Sequence, residues 1–192
     1  MSDTERVALA AEPLSSLLHT LSPDRLGEPT PCADFDVRAL LNHLLFWGPS
    51  LIGAARKEAV APPAAAESDV DLTAGDWAAA LVAQLGELAE AWRDPAAWQG
   101  VTRMGGPTEL PAPLVGGMVV GELVVHGWDL ARAVGATVRW EPELLDRVLD
   151  ETAATAAQGR AMGIYGPEVP VSSDAPPIDR VLGLTGRDPR WK

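Results

Sequence analysis

Trp77, Leu81, Leu85, Leu88 and Trp92 fall at i, i+4, i+8, i+11 and i+15, a continuous apolar stripe down one α-helix. No segment of the chain alternates apolar and polar residues at period two for long enough to build a strand. A stripe of large side chains has to be covered, and without a sheet only other helices can cover it. Helical spacing recurs in the rest of the chain. Val7, Ala10, Leu14, Leu17, Leu18 and Leu21 repeat within residues 4–21, with Leu9 off the stripe. Pro13 is expected to kink that helix or shift its start, and Ser22-Pro23 to stop it. Asp36 is placed as an N-cap before Val37, Leu40, Leu41, Leu44, Leu45, Leu51, Ile52 and Ala55. Gly48-Pro49 inside this run predicts one kinked helix, with two shorter helices as the alternative. A fourth helix is expected from about Pro111 to Val134, stopped by Gly135. A fifth starts at Glu141-Pro142 and presents Leu144, Leu145, Val148, Leu149 and Thr152. The expected fold class is all-α, a bundle of four main helices with additional short helices and long loops.

Composition narrows the function classes. The chain has 192 residues, 47% hydrophobic and 22% charged, which predicts a single globular domain over 1–192. Fifteen Lys and Arg against 27 Asp and Glu leave a net charge of -12, a field that repels phosphate backbones and disfavours nucleic acid as a partner. Cys32 is the only cysteine, so neither an internal disulfide nor a cysteine-based zinc cluster is available. The start, MSDTERVALAAEP, lacks the basic and long apolar regions of a signal peptide, and no uninterrupted apolar run approaches 18 residues. The expectation is a cytoplasmic chain with no membrane span.

Between the helices, residues 60–72 form a Pro/Ala-rich acidic linker without periodicity. Thr73 and Asp76 resemble a capping box in which Asp replaces the usual Glu or Gln. Residues 94–110 carry Pro95, Gly100, Gly105-Gly106 and Pro107 and are expected to be a long functional loop. Residues 161–177 are Gly/Pro-rich, and Ile178 to Leu184 is expected to make a short helical turn.

Chemistry concentrates in GELVVHGWDLARA. Glu122 precedes His126 by four residues, so both project from one helical face about one turn apart, a spacing that suits a shared divalent metal. Asp129 shares the face and could orient a ligand from behind. A hydrogen bond between Glu122 and His126 inside a bundle explains the same spacing, and spacing alone leaves both readings open. His43, in ALLNHLLFW, flanks the leucine stripe near Trp47 and by itself reads as a boundary histidine. Two His and one Glu drawn from different helices would nevertheless make a known zinc set with an open position. His19 suits a solvent-facing helix end better than a ligand, and Cys32 suits packing better than an activated thiol at a helix entry. Trp47 and Trp128 are placed to wall a pocket beside the ligands, while Arg103 and Arg132 read as surface arginines or anion anchors. No P-loop, dinucleotide fingerprint or nucleophile elbow occurs.

TPCADFDVRALLNHLL, GELVVHGWDLARAVG and PPIDRVLGLTGRDPRW together resemble a DinB-like metal-binding family of actinobacteria, related to the N-terminal domain of mycothiol-dependent maleylpyruvate isomerase. The resemblance spans nearly the whole chain in order. It implies a DinB-like four-helix bundle holding a divalent metal, with His43, Glu122 and His126 as ligands. Zinc suits that set best, while nickel, iron and manganese tolerate it. By the same analogy a homodimer is a possible assembly. The isomerase has a further C-terminal domain that contributes to its thiol chemistry, and this chain is expected to be too short to include it. Phe46-Trp47-Gly48-Pro49 just after His43 is expected to narrow or reshape the pocket.

Three functions follow. The first is a thiol-dependent transferase or isomerase, in which the metal activates a small-molecule thiol of the mycothiol type toward an electrophilic substrate. There Asp129 orients His126 and the 94–110 loop covers the pocket. The second is a metal-dependent hydrolase using activated water, for which Asp129 is the only plausible base. The third is a non-catalytic metal- or ligand-binding bundle in which Glu122 and His126 merely pair.

Overall fold

The computed structural model describes Met1–Lys192 and contains α1 (Asp3–Leu18), α2 (Val37–Arg56), α3 (Trp77–Ala91), α4 (Ala112–Ala133), α5 (Pro142–Ala161) and α6 (Pro177–Leu184). Its strands, β1 (Val101–Thr102) and β2 (Leu110–Pro111), form one short antiparallel hairpin pairing Val101 with Pro111. The all-α class is what the helical periodicity predicts. α1 and α2 each pack on both α3 and α4, so the first four helices make a ring with α1 and α2 on opposite corners. α5 lies against α4 and α1, and α6 against α5. One core runs through all six helices, from Val7 and Leu14 through Leu41, Leu85 and Val124 to Leu144 and Val181.

Local chemistry explains the element ends. Asp36 accepts from the Ala39 amide at 2.8 Å and opens α2 as the sequence predicts. α2 is one helix across Pro49. The proline ring removes the amide that would serve the Leu45 carbonyl, and the Gln84 side chain reaches from α3 to donate to the neighbouring Leu44 carbonyl at 2.8 Å. α1 starts at Asp3, so Pro13 does not shift its start, and it ends at Leu18 rather than near Leu21. The capping box expected between Thr73 and Asp76 does not form. Asp76 itself caps α3 by accepting from Ala79 at 3.2 Å, while Thr73 bonds Asp71 and Arg38.

α4 is long and apolar enough to cross a membrane by length and composition, but 67% of its most apolar window is buried in the core. Its close neighbours set a tight tolerance. A Cβ at Gly116 would lie 2.2 Å from the Trp98 ring. That indole cannot retreat, because its Nε1 donates to the Trp92 carbonyl at 2.8 Å and its ring meets Trp92 edge-on. Gly116→Ala is therefore expected to cost about 1–3 kcal/mol through overpacking. A lowered urea midpoint checks this, and an unmoved midpoint contradicts the packing described.

The 94–110 segment is not a structureless lid. Pro95–Trp98 is a 3₁₀ turn and the hairpin follows it. Thr102 donates to the Ala54 carbonyl at 2.6 Å and Lys57 to the Ala97 carbonyl at 2.8 Å, tying the segment to the C-terminal end of α2. Ala54 is about 16 Å along that helix from His43 at 1.5 Å per residue. The segment closes the far end of the bundle.

Candidate metal centre

α2 brings His43, and α4 brings Glu122 and His126, to one point between the helices. One ligand atom from each lies within 4.8 Å of the others. His43 Nε2 is 2.7 Å from Glu122 Oε1, and His126 Nε2 is 3.5 Å from the same oxygen. The two imidazole rings meet edge-on with centroids 5.2 Å apart.

Each imidazole is fixed from behind. Both Glu67 oxygens lie 3.1 Å from His43 Nδ1, and Asp129 Oδ2 lies 3.0 Å from His126 Nδ1. An ionised carboxylate only accepts, so in both rings Nδ1 carries the proton and donates it outward. The two Nε2 lone pairs then converge on the Glu122 carboxylate, three acceptors facing one another. Such an arrangement needs a cation at its centre, either a metal ion or added protons. The charge preferences agree. Burial opposes a charged His43, but Glu122 and Glu67 outweigh it and raise its pKa. Burial likewise works to raise the Glu122 pKa, and His126 and His43 overcome it, bringing the carboxyl down to about 2. Its acid group is enclosed although the side chain keeps 31% exposure. Two imidazoles, one carboxylate and an outward hydrogen bond from each ring form a donor set that fits a divalent metal.

The supporting groups reach further out. Asp129, wholly buried, also accepts from Arg187 at 3.1 Å, while the Trp47 indole donates to Glu67 at 2.7 Å. Phe35 lies against both rings, 5.1 Å from His43 and 6.4 Å from His126 between centroids. Asn42 pins the linker that delivers Glu67, donating to the Glu67 carbonyl at 3.2 Å and accepting from the Leu72 amide at 2.8 Å.

Residues 7–131 match the family described as mycothiol maleylpyruvate isomerase N-terminal domain. The chain belongs to that family. The matched stretch includes His43, Glu67, Glu122, His126 and Asp129, whereas Arg187 lies beyond it. The chain is similar to two Mycobacterium tuberculosis proteins, "Uncharacterized protein MT0763" of strain CDC 1551 / Oshkosh and "Uncharacterized protein Rv0738" of strain H37Rv. Each is 29% identical over 184 residues, covering 94% of this chain and 95% of the relative. Among solved structures, the fold resembles the mycothiol-dependent maleylpyruvate isomerase at TM-score 0.60 and 17% identity, over 88% of this chain and 75% of that one. A histidine-to-alanine variant of the isomerase gives 0.61 and 16% over the same shares.

The other residues singled out in the sequence separate cleanly. His19 lies just past α1 beside Leu18 and Trp77, outside the three-donor group. Cys32 is half-buried, within 4.8 Å of ligand atoms of His126 and Asp129, and burial pushes its thiol pKa up against the pull of Arg187. Arg103 pairs with Glu109 next to the hairpin, and Arg132 binds the Trp191 carbonyl and covers Trp128. Neither arginine is a free anion anchor. Trp47 acts on the centre by holding Glu67, while Phe46 is buried.

Glu67 and Arg187, which contact His43 and Asp129, are groups of the candidate centre that the sequence reading does not identify. Arg187 sits in the PPIDRVLGLTGRDPRW motif, which offered a signal, whereas Glu67 lies in a linker with none. Glu67→Gln removes the charge behind His43 while keeping the side chain's length. It is expected to weaken metal binding by about tenfold, in the range typical of lost outer partners. Competition with a chromogenic chelator measures this, and unchanged affinity would show that Glu67 does not support the ligand.

Proposed function

We propose that residues 1–192 work as one helical domain that holds zinc through His43, Glu122 and His126 and uses a small-molecule thiol, of the mycothiol type, to attack an electrophile. The reaction class is thiol-dependent transfer or isomerisation. The observation that carries this reading is the convergence of three acceptor atoms with both outer imidazole nitrogens already engaged. Membership of the mycothiol maleylpyruvate isomerase N-terminal domain family supports the thiol. Zinc, when bound, supplies the positive charge that lowers the pKa of a thiol sulfur.

The chain's residues do the positioning. His43 and His126 turn Nε2 inward because Glu67 and Asp129 take their Nδ1 protons. Glu122 contributes the negative charge that a divalent cation needs for tight binding. Phe35 excludes water from one side of both rings. With three protein donors in the set, one position is left for the thiol. Two imidazoles with one carboxylate favour zinc among common divalent ions, and nickel, iron or manganese are the competitors. The acidic surface fits a cytoplasmic protein acting on small molecules rather than on nucleic acid.

Hydrolysis is the weaker reading. It requires a base that can reach water, and Asp129 is wholly buried with its Oδ2 committed to His126 and Arg187. The test is elemental analysis of purified protein followed by incubation with an electrophile, with and without a low-molecular-weight thiol. About one metal per chain and product formed only with thiol are expected. Turnover without thiol would favour the hydrolase, and protein without metal that is indifferent to chelator would favour a non-catalytic bundle.

A further inference from the structure

The face of α4 that carries Glu122 also borders a cleft against α5. Leu114, Met118 and Gly121 of α4, Glu151 and Thr152 of α5, and Tyr165 line a space of about 210 Å³. Sites that enclose a drug-sized ligand run to roughly 300–1,000 Å³, so this one suits a small molecule or one arm of a larger one.

The cleft adjoins the candidate metal centre. Gly121 directly precedes Glu122, and a Cβ there would meet nothing within 4 Å, so bare backbone forms that part of the wall. Met118, which also lines the cleft, stands one helical turn before Glu122 on the same side of α4.

Tyr165, the only tyrosine, is held in place by glycines. Its ring lies on Gly159, where a Cβ would be 2.5 Å from the ring. The following Gly166 touches Gly186, which has φ +89 and whose Cβ would stand 2.8 Å from the Gly166 Cα. These close approaches fix a phenol whose hydroxyl bonds nothing in the chain. Burial raises its pKa, so the hydroxyl stays protonated at neutral pH and can donate.

Charge selects the occupant. No Lys, Arg or His lines the cleft, and its one carboxylate, Glu151, is already paired with Arg6 and Arg147. Leu114 and Met118 stay 38% and 37% exposed along it. A carboxylated substrate would find no cation among the lining residues, because the guanidiniums of Arg6 and Arg147 are already taken up by Glu151. An uncharged apolar body would cover the exposed side chains.

We propose that this cleft binds the electrophilic substrate, and that the substrate is an uncharged carbonyl compound whose oxygen accepts a hydrogen bond from Tyr165. The word electrophile rests on the thiol-transfer reading above, but occupation of the cleft requires neither thiol nor metal.

Calorimetry with benzylacetone, an unreactive uncharged ketone, and hydrocinnamate, a carboxylate of similar size, tests the cleft directly. The ketone is expected to bind and the carboxylate to bind at least about tenfold more weakly, the loss that goes with an unpaired buried group. Gly121→Leu should abolish ketone binding by filling the cleft. Tyr165→Phe should weaken it about tenfold while leaving metal content unchanged. If Gly121→Leu alters the circular dichroism spectrum, Tyr165→Phe alone decides. Equal binding of the two probes, or ketone binding that ignores the variants, overturns the proposal. Benzalacetone, the matching enone, keeps the two readings apart. Ketone binding without thiol adduct formation on the enone refutes thiol transfer and leaves the cleft standing. Adduct formation untouched by both variants does the reverse.

Discussion

Exchange of His126 for alanine is expected to empty the centre, lowering metal content from about one per chain to below about a tenth and thiol-dependent turnover by about 10³-fold or more. The size follows from what remains. His43 and Glu122 alone offer one nitrogen and one carboxylate, too few to compete with water for a divalent ion at ordinary concentrations. Metal that supplies several kcal/mol to a reaction cannot be replaced by the apo protein's own groups. The fold should survive the change. Asp129 loses its bond from His126 but keeps Arg187 at 3.1 Å, so no buried carboxylate is stranded. Circular dichroism should overlay the parent while elemental analysis does not. Retention of a full equivalent of metal with normal turnover would remove His126 from the ligand set and with it the proposed function.

The residues of the candidate metal centre could be picked out in the sequence because they sit on regular elements. Glu122, His126 and Asp129 share an α-helical face, and a 3.6-residue period is enough to bring them together on α4. His43 could be placed on α2 but not aimed, since a boundary histidine and a ligand look alike until the facing helix is known. The groups that sequence reasoning missed belong to loops. Glu67 reaches His43 across 24 residues of separation, and its position depends on Asn42 holding the backbone of a Pro/Ala-rich linker. Arg187 reaches Asp129 across 58 residues from beyond α6. No period predicts such contacts. The 94–110 segment is a different case, because the start of α4 fixes its distance from Glu122. It leads into α4 at Ala112, and ten residues of rise put Glu122 about 15 Å away. Loop length pointed to function, whereas the direction of α4 carries the segment to the opposite end of the bundle from Glu122.

Arg187→Met should be among the most destabilising single changes available, costing about 3–5 kcal/mol, because it removes one partner of a buried ion pair and leaves the other. The Asp129 side chain is 0% exposed and that of Arg187 only 8%. Asp129 Oδ1 has no hydrogen-bond partner, so Oδ2 carries the interactions with both His126 and Arg187. Methionine approximates the apolar stem of arginine, so the loss is chiefly that of the guanidinium and not of packing. Without the guanidinium the Asp129 carboxylate is no longer held from the Arg187 side, so it orients the His126 Nδ1–H less well. Metal affinity is therefore expected to fall by about 10–100-fold alongside the stability. The double variant Arg187→Met/Asp129→Leu separates the two effects. Removing both charges should restore much of the urea midpoint, since the stranded group is gone, yet metal affinity should stay low because nothing then holds His126. Recovery of affinity together with stability would mean that the pair serves the fold alone. A single Arg187→Met variant with the parent's midpoint would mean that Asp129 does not depend on this guanidinium.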